Sequence, residues 1–372
     1  MKEGYKALGE FIRQIDIRNT EGKEDNLLGV SVQKQFIPSI ANTVGTDFTK
    51  YKVVKKGQFT YIPDTSRRGD KIAIALLQDY EEGLVSNVYT VFEVIDEEKL
   101  LPEYLMLWFS RPEFDRYARF KSHGSVREIM DWDEMCKVEL PVPSIEKQRS
   151  IVKAYKAITD RIELKRRIND NLEAAMRALF EHFVVSNEAY DFDEAIDDKI
   201  DFINGLAMQN YRPEKDETPI PVIKIRELSQ GYCDENSEFC SNHIDISHII
   251  QNGDLVFSWS GSLQASFWTS QTAGLNQHLF KVQSDEYPLW FVYEWVTFHL
   301  LNFQRIAENK GTTFGHIKRE DLHNAKIKSV GIDEINKLNN LFQPLLNTII
   351  ANSTELHSLM NYQRVLLARL SR

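Results

Sequence analysis

Few side chains in this sequence stand at spacings that could do chemistry. Pro63-Asp64 followed by Glu97-x-Lys99 fits a loose set of acidic metal ligands plus a lysine, the arrangement of a metal-dependent nuclease. Glu97-Glu98-Lys99, however, lies in a connector before Leu100-Leu101-Pro102. His278 and His316 are the imidazoles best placed for acid–base work, but neither has a triad partner by spacing. Cys136, Cys233 and Cys240 are odd in number, and the last two match no common zinc spacing. They read as free thiols of a cytoplasmic protein, with no metal site. No phosphate-cradling Gly-x-x-x-x-Gly-Lys-Ser/Thr occurs, nor Gly-x-Gly-x-x-Gly, His-Glu-x-x-His or Gly-x-Ser-x-Gly. The Asn/Asp-Pro-Pro-Tyr/Phe of adenine methyltransferases is also missing. The sequence reads as a recognition protein rather than an enzyme.

The elements that position its polar loops occur twice. An offset of 187 residues lays Gly124 onward over Gly311 onward without gaps, pairing Ile145 with Ile332, Ile162 with Ile349, Leu172 with Leu359 and Arg177 with Arg364. Upstream, Lys56-Gly57-Gln58-Phe59-Thr60-Tyr61 matches Asn252-Gly253-Asp254-Leu255-Val256-Phe257, a turn glycine and then an alternating strand. Pro102-Glu103-Tyr104-Leu105 matches Pro288-Leu289-Trp290-Phe291, each opening an aromatic helix. In the second copy, 219–225 and 255–259 read as strands, 274–282 as a turn and strand, and 289–306 as an amphipathic helix. A short helical segment ends near Leu322. The first copy follows the same plan, with 86–92 matching the 276 strand and a polar, basic loop at 63–71.

Each copy ends in about 40 residues of helix-forming composition. Residues 146–184 lack Gly and Pro, and Ser144 stands as an N-cap behind Pro141 and Pro143. A heptad seam runs through Tyr155, Ile158, Ile162, Lys165, Asn169, Leu172, Met176, Leu179 and Phe183. Shifted by 187, it becomes Phe342, Leu345, Ile349, Asn352, Leu356, Leu359, Gln363, Leu366 and Leu370. Both seams turn polar at the same place, Lys165 and Asn352. The matching lengths and breaks predict two helices of roughly 58 Å packed on each other. Tyr155, Ile158, Ile162, Leu172, Leu179, Leu345, Ile349, Leu359 and Leu366 are the expected interhelix contacts. The fold class is α+β: two mixed domains related by a pseudo-twofold axis, each followed by a long helix, the helices forming an antiparallel coiled coil. The boundaries are 1–143, 144–186, 187–331 and 332–372.

The chain has 372 residues, 45 Lys plus Arg and 55 Asp plus Glu, hence a formal charge of −10. With 42% hydrophobic and 27% charged residues it is ordinary globular material. No stretch approaches the ~20 apolar residues of a membrane span, and residues 1–6 have no signal-peptide core. The acid is uneven. Seven carboxylates between Glu188 and Asp201 face one lysine and read as a solvated connector, whereas 146–184 carries nine Lys/Arg against six Asp/Glu.

This duplicated plan resembles the specificity subunit of a type I restriction–modification system. The residues that carry the resemblance are Leu140-Pro141-Val142-Pro143-Ser144-Ile145-Glu146-Lys147-Gln148, Ile249-x-x-x-Gly253-Asp254-x-x-Phe257-Ser258 with Gly261-Ser262, Leu275-Asn276-Gln277-His278-Leu279-Phe280, and Gly311-Thr312-Thr313 with His316-Ile317. The second copy has Ser329-Val330-Gly331-Ile332 where the first has its proline-marked helix start. The resemblance implies two target recognition domains, each reading half of a bipartite DNA site. It further implies helices that set the spacing and dock two modification (methyltransferase) subunits, with restriction (helicase–nuclease) subunits joining that core. S-adenosylmethionine, ATP and magnesium would then be bound by those partners, and this chain would carry no cofactor. Such readers contact half-sites about one helical turn (~34–36 Å) apart through polar loops. The candidate DNA contacts are Arg67, Arg68, Lys71, Lys121, Ser125 and Arg127 in the first copy. In the second they are Ser260, Ser262, Gln264, Gln277, His278, Thr312, Thr313, His316, Lys318 and Arg319. A coiled-coil scaffold with two protein-binding heads and a nuclease using Asp64 and Glu97 are the alternatives.

Overall fold

The computed structural model describes residues 4–40, 43–65, 71–122, 128–309 and 315–370. The chain forms two compact units, 1–160 with 362–372 and 161–361, so each unit contains part of both long helices.

The first unit holds an antiparallel sheet in the order Ile12–Ile15, Thr90–Val94, Phe59–Tyr61, Ile74–Leu76. A second sheet runs Phe36–Pro38, Leu27–Val30, Glu82–Val85, Lys52–Lys55, with its central pair parallel. Tyr5–Ala7 pairs with Glu139–Pro141. The alternation that marks 59–61 as a strand puts Phe59 against Phe92, rings stacked at 4.9 Å, under the apolar face of the helix Pro102–Phe109. Tyr155 of the first long helix and Leu367 and Leu370 of the second pack on this core.

The second unit repeats that topology strand for strand. Its antiparallel sheet runs Asp201–Asn204, Leu279–Gln283, Leu255–Ser258, Ala265–Phe267. The mixed sheet runs Phe239–Cys240, Ile220–Ile223, Ala273–Leu275, Ile249–Ile250. Phe192–Ala195 pairs with Lys326–Lys328. Gly57 and Gly253 enter equivalent strands at φ +84° and +95°, which explains why both copies place a glycine there.

Two expectations are corrected. The acidic stretch 188–201 is no connector: it supplies the strand Phe192–Ala195, the turn Ile196–Lys199 and the start of an edge strand. Ala195, Ile196, Ile200 and Phe202 point into the core, and the carboxylates occupy the solvent side of the same backbone. Counting charge hid that alternation. The span 274–282 is two strands in different sheets, joined by a turn at Asn276-Gln277-His278. The expected turn and single strand is thus a strand, a turn and a second strand, because the turn residues 276–278 include no Gly or Pro to mark it.

The helices run Ile145–Phe180, extended by a π turn at Glu181–Val185, and Ile332–Arg369. The Gly331 carbonyl accepts from the amides of Glu334 and Ile335, which starts the second helix without proline. Ile162 and Ile349 are buried; Leu172, Leu179 and Leu345 are half-buried against the second core. Ile158, Leu359 and Leu366 are half-buried. Within the second unit the pairing is antiparallel. Arg161 ion-pairs with Glu355, Lys165 Nζ donates to Asn352 Oδ1 (2.6 Å), and Asn169 Nδ2 donates to the Ile349 carbonyl (3.3 Å). The two polar breaks in the seams are therefore each other's partner. Asn352 Nδ2 also donates to Asn169 Oδ1 (2.9 Å), and Lys165 reaches Glu355 at 2.8 Å. Buried polar groups so satisfied fix one register, because a slip would leave each of them unpaired.

Glu294, on the helix Leu289–Asn309, is only 2% exposed. Burial pushes its carboxyl up to about 8, against the pull of Arg177. Between the ordinary carboxylate range and pH 8 the folded chain therefore holds a proton that the unfolded chain has released. Stability is greatest at the acid end of that window and falls as pH rises through it. Glu294→Gln is expected to flatten this dependence. Unfolding free energies from urea titrations at pH 5.5 and 8.5 should differ in the wild type, with the alkaline value lower by an amount on the order of a few kcal/mol, and should agree in the variant.

No helix among the described residues is long and apolar enough to cross a membrane. All three cysteines are unpaired, with Cys240 buried and the other two half-buried.

Candidate nucleic-acid interface

In the second unit three segments that are distant in sequence meet at one end of the antiparallel sheet. The strand Leu255–Ser258 runs out into Trp259-Ser260-Gly261-Ser262. Ser260 bridges His316, the Ile317 amide donates to the Trp259 carbonyl (3.0 Å), and the Gly261 amide donates to the Gly315 carbonyl (2.8 Å). The turn 276–278 joins through the Trp259 amide, which donates to the His278 carbonyl at 3.4 Å. Gly205 passes beneath this turn, and a Cβ there would collide with the Asn276 carbonyl. Only glycine lets the chain come so close.

These constraints bring together several of the expected contacts. The rings of His278 and His316 lie 5.8 and 6.4 Å from Trp259. Gln277 Nε2 lies 3.4 Å from His278 Nε2, and Ser262, His278 and Lys318 are exposed. Trp259 itself, half-exposed between the imidazoles, escaped sequence reasoning because an aromatic at a strand end reads as core. Asn276 also belongs here: buried, it accepts from the His278 amide (3.3 Å) and holds the turn. Two predicted residues are directed at their own chain. Arg319 Nη2 donates to the Phe202 carbonyl (2.7 Å) with its guanidinium 4.9 Å from the Phe280 ring, and Gln264 Nε2 donates to Ser229 Oγ (2.6 Å). Thr312 and Thr313 lie outside the described residues.

The first unit repeats the arrangement. Asp64 bridges Ile129, the Thr65 amide donates to the Glu128 carbonyl, and the Met130 amide donates to the Pro63 carbonyl, both at 3.0 Å. Asp64 thus occupies the place of Ser260. The turn 86–89, closed by the Tyr89 amide on the Ser86 carbonyl (3.1 Å), is the counterpart of 276–279. It adds Asn87 to the site, a residue that sequence reasoning absorbed into a strand. Lys71 is exposed, and Lys121 lies 6.0 Å from the rings of Tyr117 and Phe120 at a helix end. Arg67, Arg68, Ser125 and Arg127 lie outside the described residues. Among the described residues, the group of three His, Cys, Asp or Glu side chains close enough to share a cation is Asp197, Asp198 and His323, and neither Asp64 nor Glu97 belongs to it.

The chain is similar to proteins of one known family. Residues 11–174 match the family model of the type I restriction modification DNA specificity domain. The chain is 24% identical to the MjaIX specificity subunit of Methanocaldococcus jannaschii, over 74% of this chain and 70% of that protein. Residues 11–174 thus carry the DNA specificity domain of type I restriction–modification systems, and the chain resembles their specificity subunits. The HindI specificity subunit of Haemophilus influenzae is 28% identical over 50% of this chain and 40% of its own length. The crystal structure of a type I S subunit from M. genitalium superposes with a TM-score of 0.58 at 12% identity, covering 99% of this chain and 96% of that one, and so shares the fold. Given that resemblance, the convergence of the 259–262, 276–278 and 315–318 segments is the feature to explain. A sheet end offers rigid backbone and an irregular, polar set of donors and acceptors, as reading base edges requires.

Proposed function

We propose that this chain reads a bipartite, asymmetric DNA sequence, one half with each unit. In this reading it docks two modification subunits through its long helices, with restriction subunits joining that assembly. It supplies specificity and no catalysis; S-adenosylmethionine, ATP and magnesium belong to the partners. The observation that carries the reading is the duplication itself. Two sheets of identical strand order each end in a bridged pair of loops and carry a tight turn at the equivalent strand start, while the side chains there differ: Asp64 against Ser260, and Asn87-Val88 against Gln277-His278. One frame with two sets of side chains suits two different half-sites. The formal charge of −10 fits partners that supply much of the phosphate grip.

The test is co-purification with an adenine methyltransferase, followed by binding to DNA and sequencing of methylated sites. Gln277→Ala with His278→Ala should weaken binding to the target by about 10- to 100-fold, the effect of losing one base-reading contact, and relax one half of the methylated motif only. The slope of affinity against salt should change little, since phosphates are not what these residues contact. If the pair leaves both halves of the motif intact, the assignment of this turn to base reading is wrong. If the complex methylates without sequence preference, the specificity role itself is wrong.

A further inference from the structure

The first unit contains a cavity of about 500 Å³ that lies outside the loops described above. Tyr5, Trp108, Phe114 and Tyr117 form its aromatic walls. Arg111, 4% exposed, lines it with the guanidinium 4.1 Å from the Trp108 ring. This cation is poorly satisfied: its Nε is buried with no hydrogen-bond partner, and its ion pair to Glu113 is long, at 3.5 Å. Lys121 and Lys137 add positive charge, the latter paired with Glu134 at 2.7 Å, while Glu113 and Glu139 offer acceptors.

The second unit shows what fits such a place. Tyr5 meets Trp108 edge-on (6.1 Å, 75°), and 187 residues later Phe192 meets Trp295 the same way (5.9 Å, 78°). The residue corresponding to Arg111 is Phe298. Its ring lies 5.4 Å from Trp295 and stacks on Phe192 at 6.4 Å. The second unit covers its tryptophan with its own aromatic ring. The first has a cation and an open, aromatic-walled cavity large enough for a small planar ligand.

We propose that this cavity binds a nucleotide, with the base held among the aromatic walls and the phosphate on Arg111. Aromatic faces stack on any base, and a guanidinium is the side chain best shaped for a phosphate. Glu139, also in the lining, offers an acceptor to an exocyclic amine, which an adenine carries. The nucleotide is either free or an unpaired residue of a nucleic-acid strand. The site shares Lys121 with the candidate DNA contacts but does not depend on their assignment to DNA reading.

The experiment is calorimetric titration of the full chain with AMP, with adenosine and with a short single-stranded oligoadenylate. AMP should bind one to one, and about tenfold more tightly than adenosine, because only AMP engages the buried cation. Arg111→Gln should erase that preference while leaving adenosine binding in place. Tyr117→Ala, at a half-buried position on the cavity wall, should weaken both ligands about fivefold through lost stacking. Should Arg111→Gln fail to fold, Tyr117→Ala and Lys121→Gln carry the test. An oligonucleotide that competes with AMP and loses binding in the same variants identifies a strand as the source. One that does not compete identifies the free nucleotide. Absence of AMP binding at millimolar concentration overturns the proposal, as does equal affinity for AMP and adenosine. A peptide ending in a phenylalanine carboxylate that binds where AMP does not also overturns it, making the cavity a protein-docking pocket.

Discussion

Trp290→Ala is expected to unfold the second unit at temperatures where the wild type is stable. The indole is fully buried, stacks on Phe342 of the second long helix at 4.2 Å and 15°, and donates from Nε1 to Asn339 Oδ1 at 2.9 Å. It joins the helix Leu289–Asn309 to the segment 332–361 inside one core. Removing a buried aromatic of this size costs about 3–5 kcal/mol through lost burial and the cavity left behind. The stranded Asn339 amide adds to that penalty. The net stability of a folded domain is only about 5–15 kcal/mol. Thermal unfolding followed by circular dichroism should show a much lower first transition. Trp290→Phe keeps the stack but not the hydrogen bond and should recover most of the loss. A transition unmoved by Trp290→Ala would mean that this contact does not anchor the helix.

Deleting one heptad, 159–165, is expected to abolish site-specific modification by the assembled complex. Seven residues advance a helix by about 10.5 Å but rotate it by only about 20° out of phase. The seam would still face its partner, in the wrong place. Arg161, Ile162 and Lys165 vanish, so Glu355 loses both of its cations and Asn352 loses the Lys165 ammonium. Tyr155 can no longer meet the first core and the 362–370 segment at once. A matched deletion of 355–361 in the opposing helix restores the pairing. On the spacer reading it recovers assembly, with a methylated motif of altered central gap. Methylome sequencing of a host carrying each deletion variant distinguishes these results. Full activity on an unchanged motif after the single deletion would refute the spacer role.

Much of this architecture is legible in the chain because repetition is a property of the linear sequence. The 187-residue offset pairs Lys165 with Asn352, and the structure hydrogen-bonds those two residues to each other. Heptad spacing places Ile162 and Ile349 in a buried seam, and turn glycines mark equivalent strands at 57 and 253. What stayed illegible has specific causes. At 274–282 the chain leaves one sheet and enters another within three polar residues that include no Gly or Pro to mark the turn. Around 188–202 a dense run of carboxylates hid four buried apolar side chains on the opposite side of the backbone, Ala195, Ile196, Ile200 and Phe202.

The candidate site divides the same way. Sequence alone determined the duplication, the helical seams and the polar character of the loops, since these follow from local periodicity and composition. Only the tertiary structure decided which loops meet. Trp259, His278 and His316 become neighbours through single backbone bonds between segments roughly 20 to 60 positions apart, and nothing in local residue chemistry encodes those pairings. Likewise, only packing decided that Arg319 and Gln264 turn back to the protein while Trp259 faces the site. A side chain's partner depends on which surfaces the whole fold brings within hydrogen-bonding distance.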